Sequence, residues 1–304
     1  MSREATPSLY SGIHSIAYAI FDAEERLDRN AMQRQTELMI AAGVRGLLAL
    51  GLATEVSKLR EVERRDVMEW LAEDNRDRLP FGFTIFGNSV AEQSDQVRFA
   101  EQVGARWVIL QPPAVGSFSG IEYLRFFGRV ADATTLPVAI QNAPQYMGRG
   151  LSAGEIAELT RQHSNIAAIK GEGSVVEIRS LLEVTGGRVP VLNGRAGLEL
   201  VDNFRIGCAG MILAPDNVDH AVRIWSAMER GDTSAAEADY ERILPAIVFV
   251  MQSLETLTCY GKRLFAARAG LTVNDRAPAM RPTGEGLELV AKYAARLGPY
   301  PGAR

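Results

Sequence analysis

The stretch Ile166-Ala167-Ala168-Ile169-Lys170-Gly171-Glu172 is followed, after Gly173, by Ser174-Val175-Val176-Glu177. The first part is a short apolar run ending in one lysine and a glycine, the pattern of a strand buried on both faces. The second is Ser-x-x-Glu, in which the serine oxygen accepts from an early helix amide and the glutamate reaches back to the cap amide. Together they predict a strand leading into a capped helix. Position alone leaves two readings of Lys170. It is a boundary charge leaving the strand for solvent, or an amine at the rim of an apolar barrel that attacks a carbonyl to form a Schiff base.

The same unit recurs on both sides. Strand-like apolar runs fall at 13–20, 46–50, 81–86, 107–111, 138–142, 166–170, 189–193 and 211–214. Between them, apolar residues recur at three- and four-residue spacing, as in Leu38, Met39 and Ala42 or Val218, Ala221, Val222, Trp225 and Met228. Ser-x-x-Glu appears at Ser89, Ser119, Ser152 and Ser174, and Gly43, Gly104 and Gly186 mark helix ends. Eight such units within residues 1–230 predict an α/β fold of the (β/α)8 barrel type rather than an open doubly wound sheet. No Gly-x-Gly-x-x-Gly follows the first run, which argues against a dinucleotide fold. Residues 231–304 read as an appended helical extension packed on the barrel. Two helices are predicted over 232–270 and one over 285–297, and the segment reads as structural.

Composition narrows the function. With 47% hydrophobic and 23% charged residues, the 304-residue chain reads as an ordinary soluble globular protein. A net charge of -4 argues against nucleic acid or an anionic membrane as partner. Residues 1–7 carry no apolar signal region, and no run approaches a membrane span, so a cytoplasmic location is expected. Cys208 and Cys259 are far apart and read as reduced core thiols. No His, Asp and Glu residues show metal-ligand spacing, so no metal and no cofactor are expected, and His14 reads as barrel filling.

In a (β/α)8 barrel the chemistry sits at the C-terminal strand ends. The candidates are therefore Gly51-Leu52-Ala53-Thr54-Glu55, Gln111-Pro112-Pro113, Gln141-Asn142-Ala143-Pro144 with Tyr146, Lys170-Gly171-Glu172, Asn193-Gly194-Arg195 and Ala214-Pro215-Asp216. Glu172 is an acid/base candidate or a solvated loop carboxylate. Tyr146 is a substrate contact or a relay phenol. Arg195 binds a distal carboxylate or hydroxyls, or is a surface arginine.

These motifs, in this order, resemble the dihydrodipicolinate synthase and N-acetylneuraminate lyase superfamily of Schiff-base lyases. The resemblance rests on Gly12-Ile13 with Phe21-Asp22, Gly51 and Glu55 followed by Leu59, Asn142-Ala143-Pro144, Ile169-Lys170, Gly207-Cys208-Ala209-Gly210 and the C-terminal helices. It implies that Lys170 is the Schiff-base lysine. It also implies that the turn at Ala53 and Thr54 binds the substrate carboxylate through backbone N–H groups, helped by the Thr54 hydroxyl. A plain tight turn capped by Thr54 is the alternative. Glu55 matches the family's glutamate, with a structural hydrogen-bonding role.

Departures from the family pattern carry the finer expectation. Gln141 stands where the family's tyrosine precedes Asn-x-Pro, Tyr146 replaces the arginine of the lysine-pathway synthases, and Ala114 follows Pro113 where a tyrosine is usual. An amide hydrogen-bonds but does not titrate near neutral pH. The Gln-Asn-Ala-Pro stretch and Glu172 resemble a branch that dehydrates 2-keto-3-deoxy sugar acids, such as 2-keto-3-deoxyarabonate dehydratase. The expected function is therefore a lyase acting on a small 2-oxo acid, more a hydro-lyase than an aldehyde-lyase. A pyruvate-dependent aldolase or a dihydrodipicolinate synthase-like enzyme is the same-fold alternative. A catalytically silent carboxylate-binding relative is the alternative from another class. The resemblance further implies a homo-oligomer, dimer or tetramer.

Overall fold

A computed structural model describes residues 8–303 of the chain. The expectation about residues 1–7 lies outside the described residues. Eight parallel strands close into a barrel in chain order. They are β1 (Gly12–Ile16), β2 (Gly46–Ala49), β3 (Phe81–Ile85), β4 (Trp107–Leu110), β5 (Val138–Asn142), β6 (Ile166–Gly171), β7 (Val191–Asn193) and β8 (Gly210–Leu213). Helices α1 (Arg29–Ala41), α2 (Glu61–Asn75), α3 (Val90–Gln102) and α4 (Gly120–Ala131) follow the first four strands. The short α5 (Pro144–Met147) and α6 (Ala153–Gln162) follow β5, and α7 (Val175–Val184), α8 (Leu200–Arg205) and α9 (Val218–Glu229) follow the last three. The chain is thus the expected (β/α)8 barrel, and its strands are buried and mostly apolar because helices cover one face and the barrel interior the other.

The first strand is shorter than its apolar run. Residues Ala17 to Ile20 are fully buried, but beyond the Ala17 amide, which donates to the Leu48 carbonyl of β2, they leave the ladder. The Tyr18 amide donates to Gln35 Oε1 at 2.9 Å and Gln35 Nε2 returns to the Tyr18 carbonyl at 2.9 Å, so a side chain of α1 replaces the next strand. Burial looks the same in sequence whichever partner satisfies the backbone.

Two of the four Ser-x-x-Glu caps, at Ser152 and Ser174, form full reciprocal boxes. Ser89 accepts from the Glu92 amide, but the Glu92 carboxylate turns to the Asn88 amide instead, and Ser119 makes no side-chain cap bond. The helix-ending glycines adopt the left-handed backbone that a side chain would strain, with φ of +82° at Gly43, +88° at Gly104 and +62° at Gly186.

One irregularity decides where Lys170 points. Val138 pairs with Ile166, but the next pair is Ala139 with Ala168, so Ala167 is an extra residue in β6. This bulge advances the register by one and sets Gln141 opposite Lys170, where an unbroken ladder would have set it opposite Ile169. Register partners in a parallel sheet face the same way, so the amide and the amine share one side of the sheet.

Beyond α9 lie α10 (Thr233–Val250), α11 (Leu254–Thr256), a π-helical turn at Leu257–Gly261, α12 (Lys262–Ala269) and α13 (Gly284–Leu297). The chain bends by 106° between α10 and residues 254–269, and Ser253 caps the restart. Ile243, Ala246, Ile247, Val250, Leu264 and Phe265 of this segment are buried. No single helix among the described residues is long and apolar enough to cross a membrane. Both cysteines are free and buried, as expected.

Candidate active site

Lys170 ends β6 inside the barrel mouth and is 3% exposed. Its ammonium nitrogen lies 3.4 Å from Glu172 Oε1. The second carboxylate oxygen, Glu172 Oε2, accepts from Gln141 Nε2 at 2.6 Å. Gln141 Oε1 in turn accepts from Gln111 Nε2 at 2.9 Å. A buried file, Gln111–Gln141–Glu172–Lys170, therefore crosses the ends of β4, β5 and β6. The register explains it: Leu110 pairs with Ile140, so the following step sets Gln111 beside Gln141. Glu172 needs room to fold back over the strand end, and Gly194 supplies it, since a Cβ there would stand 2.8 Å from Glu172 Oε1.

Lys170, Glu172 and Arg195 line one side of a small cavity, with Ile16, Leu52, Ala53 and Ile212 around them. Met251, Leu254 and Leu257 from the C-terminal helices also line it. The extension, read from sequence as structural, thus also supplies part of the wall around the lysine. Arg195 and Ala196 both hold left-handed backbone, at φ of +57° and +52°, which costs of order 1 kcal/mol each. Arg195 Nη1 donates to the Gly173 carbonyl at 3.0 Å and to Glu199 Oε2 at 2.7 Å, while its Nε is buried without a partner. The guanidinium is thus anchored on one edge and lines the cavity. Tyr146, partly buried on α5, stands beside it; burial pushes the phenol's pKa up, and Arg195 pulls in the opposite direction.

The structure brings Lys170, Gln141, Glu172, Arg195 and Ala53 to one place, with Tyr146 at its edge. Thr54 and Glu55 face elsewhere. The Thr54 hydroxyl, expected to help hold a carboxylate, donates instead to the Ala17 carbonyl at 2.6 Å. The Thr54 and Glu55 amides close the turn onto Gly51 and Leu52 carbonyls. Carboxylate binding by this turn would therefore fall to the amides of Leu52 and Ala53.

Glu55 is buried between Lys58 and Lys262 and ion-pairs with both. Burial pulls the Lys262 pKa down, and Glu55 opposes that. Replacing one partner of a buried pair leaves the other charge unmatched. Glu55→Gln should lower stability by about 3 kcal/mol, seen as a lower urea midpoint with an unchanged slope.

Met251, Leu254 and Leu257 are contributors that sequence reasoning did not single out, and Gln111 stood there only as a strand-end candidate with no role. Gln111 carried a usable signal: the run of strand four ends in a glutamine, and that of strand five ends in Gln141-Asn142. His14 is fully buried within β1, and burial lowers its pKa to about 4. No cluster of three or more His, Cys, Asp or Glu side chains among the described residues is arranged to hold a metal ion.

A buried amine in contact with a carboxylate is equipped to add to a carbonyl and to pass protons next to the new C–N bond. Known proteins share this framework. The sequence profile of the Dihydrodipicolinate synthetase family matches residues 9–293. YagE of Escherichia coli K12 is 28% identical over 242 residues, covering 78% of this chain and 80% of that one. Its structure in complex with pyruvate matches with a TM-score of 0.88 at 25% identity, over 95% of this chain and 99% of that one. L-2-keto-3-deoxyarabonate dehydratase of Azospirillum brasilense is 27% identical over 253 residues, 81% of each chain. A 4-hydroxy-tetrahydrodipicolinate synthase of Nitratidesulfovibrio vulgaris is 25% identical over 223 residues, 72% of this chain and 76% of that one.

Proposed function

The chain belongs to the dihydrodipicolinate synthetase family, and from that premise we propose that it is a Schiff-base lyase that dehydrates a 2-keto-3-deoxy sugar acid. The family and the relatives support a lyase of the dihydrodipicolinate synthetase type acting on small molecules, and the relatives' own names include both an aldolase and a dehydratase. The dehydration reading rests chiefly on one observation: the carboxylate of Glu172 lies between Lys170 and an amide, Gln141, with no phenol in the file.

The sequence of steps follows from that arrangement. The Lys170 amine, having passed a proton to Glu172, adds to the C2 carbonyl, and loss of water gives an iminium. The iminium is an electron sink that acidifies C3. Glu172 removes a C3 proton and the electron pair forms an enamine. The enamine expels the C4 hydroxyl, which leaves as water with a proton from an acid, and a C3–C4 double bond forms. Hydrolysis then frees the lysine.

Cleavage of the C3–C4 bond needs a different proton. A base must deprotonate the C4 hydroxyl while the enamine keeps the electrons, and Gln141 does not titrate in the working range. The absence of a phenol at position 141 supports the dehydration reading over the same-fold rival, an aldolase. Arg195 and the Leu52 and Ala53 amides are the groups available for the substrate's carboxylate and hydroxyls.

A panel of 2-keto-3-deoxy acids with product analysis tests this reading. Dehydrated 2-oxo acid should dominate for whichever substrate turns over. Gln141→Tyr should raise the share of pyruvate plus aldehyde by about tenfold, the lower range of general acid–base effects. Release of pyruvate and an aldehyde as the main products of the unaltered protein would overturn it.

A further inference from the structure

The file behind Lys170 extends one residue further than the chemistry requires, to Gln111, and the geometry of that last link is informative. Gln111 is 2% exposed. Its amide donates to the Ile85 carbonyl at 3.1 Å, and its carbonyl accepts from Gln93 Nε2 at 2.9 Å. Gln93, itself fully buried, also donates to the Gly87 carbonyl at 3.0 Å. The backbone is thus clamped, while the terminal torsion of a glutamine side chain is broad and nearly two-fold.

An ionised carboxylate only accepts hydrogen bonds. Facing ionised Glu172, Gln141 must present its NH2, which turns its oxygen to Gln111, and Gln111 must then present its own NH2. This is the observed arrangement. A protonated Glu172 reverses the demand, since its O–H donates. Gln141 turned over would accept that bond and offer its NH2 to the Gln111 oxygen. Each protonation state of Glu172 therefore has its own matched run of donors and acceptors from the carboxyl through Gln141 to Gln111, and the mixed arrangements set two donors or two acceptors face to face.

We propose that Gln111 is a positioning residue: with Gln141 it forms a reversible amide pair that turns over in step with the Glu172 proton. This rests on the reading of Glu172 as the C3 base for a 2-oxo acid on Lys170. It also gives the replacement of a phenol by Gln141 a use, because a glutamine pair can match both states of the carboxyl without titrating. The charged or titratable groups around Glu172 are Lys170 on β6, Arg195 after β7, Tyr146 on α5 and Glu177 on α7, which lines a neighbouring cavity with it. None of them touches Gln111 among the described hydrogen bonds and ion pairs.

Exchange of the pyruvate methyl protons in deuterated water, measured against pH, reads the base directly, with borohydride trapping of pyruvate on Lys170 run in parallel. Gln111→Glu keeps the shape but presents only acceptors. It should draw the Gln141 NH2 away from Glu172 and move the acidic limb of the exchange profile up by about one pH unit, a tenfold change in the ionised fraction. A bare charge would act through space as well. In a Gln141→Leu background the same change should therefore move the limb less than half as far. Gln111→Leu, which keeps the volume, should slow exchange about tenfold on the plateau with the KM for pyruvate nearly unchanged.

Normal trapping together with an unmoved limb in Gln111→Glu and an unchanged plateau in Gln111→Leu would overturn the proposal, as would an equal shift in both backgrounds. Failure of the unaltered protein to trap pyruvate at Lys170 is a separate result. It removes the Schiff-base reading itself and this inference with it.

Discussion

Lys170→Ala should lower turnover about a thousandfold or more, the scale seen when a covalent nucleophile is removed from a site whose parts act as a unit. Among the described residues of the cavity wall, the amine alone can form the iminium. Arg195 lines the same cavity, but a guanidinium stays protonated and does not add to carbonyls. The variant also leaves Glu172 buried with Gln141 as its remaining hydrogen-bond partner. The loss should therefore be reported alongside an unfolding curve, so that inactivity is not mistaken for instability. Turnover within tenfold of the unaltered protein, with the fold intact, would remove the lysine from the mechanism.

Glu172→Gln should separate two steps that Lys170→Ala destroys together. The substitution keeps the size of a side chain packed closely over Gly194, and its amide oxygen can still accept from Gln141 Nε2. What it removes is the proton acceptor 3.4 Å from the amine. General acid–base groups contribute on the order of 10²- to 10⁴-fold. Dehydration and pyruvate methyl exchange should both fall into that range, while borohydride still traps a 2-oxo acid on the lysine, more slowly. Unchanged exchange rates would place the base elsewhere, with Tyr146 the next group to test.

The barrel was legible because its signals are local. Apolar runs at regular spacing, Ser-x-x-Glu between them and glycine stops give eight units without any knowledge of contacts. The candidate lysine was legible for the same reason, as the only charge ending an apolar run inside the repeat. What composition could not carry was pairing. Residues 17–20 look like strand because they are apolar, yet the Tyr18 backbone is satisfied by Gln35 of α1 and that of Ile20 by Met32 and Asp28. The bulge at Ala167 leaves no mark in an all-apolar run, although it sets the phase of Lys170 against Gln141.

The same limit explains the site residues that fell elsewhere. Glu55 reads as a loop glutamate beside a carboxylate-binding turn. Its partner Lys262 is 207 residues away in sequence, and only the fold shows that the pair is buried. Thr54 sits at the expected turn, but its hydroxyl is taken by a carbonyl of the neighbouring loop. Met251, Leu254 and Leu257 looked like part of a packing face, and an apolar residue does not announce whether it covers a helix or a cavity. Gln111 was visible as a strand end but had no partner until β4 and β5 were aligned.

The account's central claim is that Lys170 forms an iminium with a 2-oxo acid, and one measurement tests it most directly. The protein is incubated with pyruvate, reduced with borohydride, and its intact mass and peptide map are taken beside those of Lys170→Ala. The account predicts one reduced pyruvate per chain, located on Lys170, and none on the variant. No adduct, or an adduct on another residue that persists in Lys170→Ala, would contradict it.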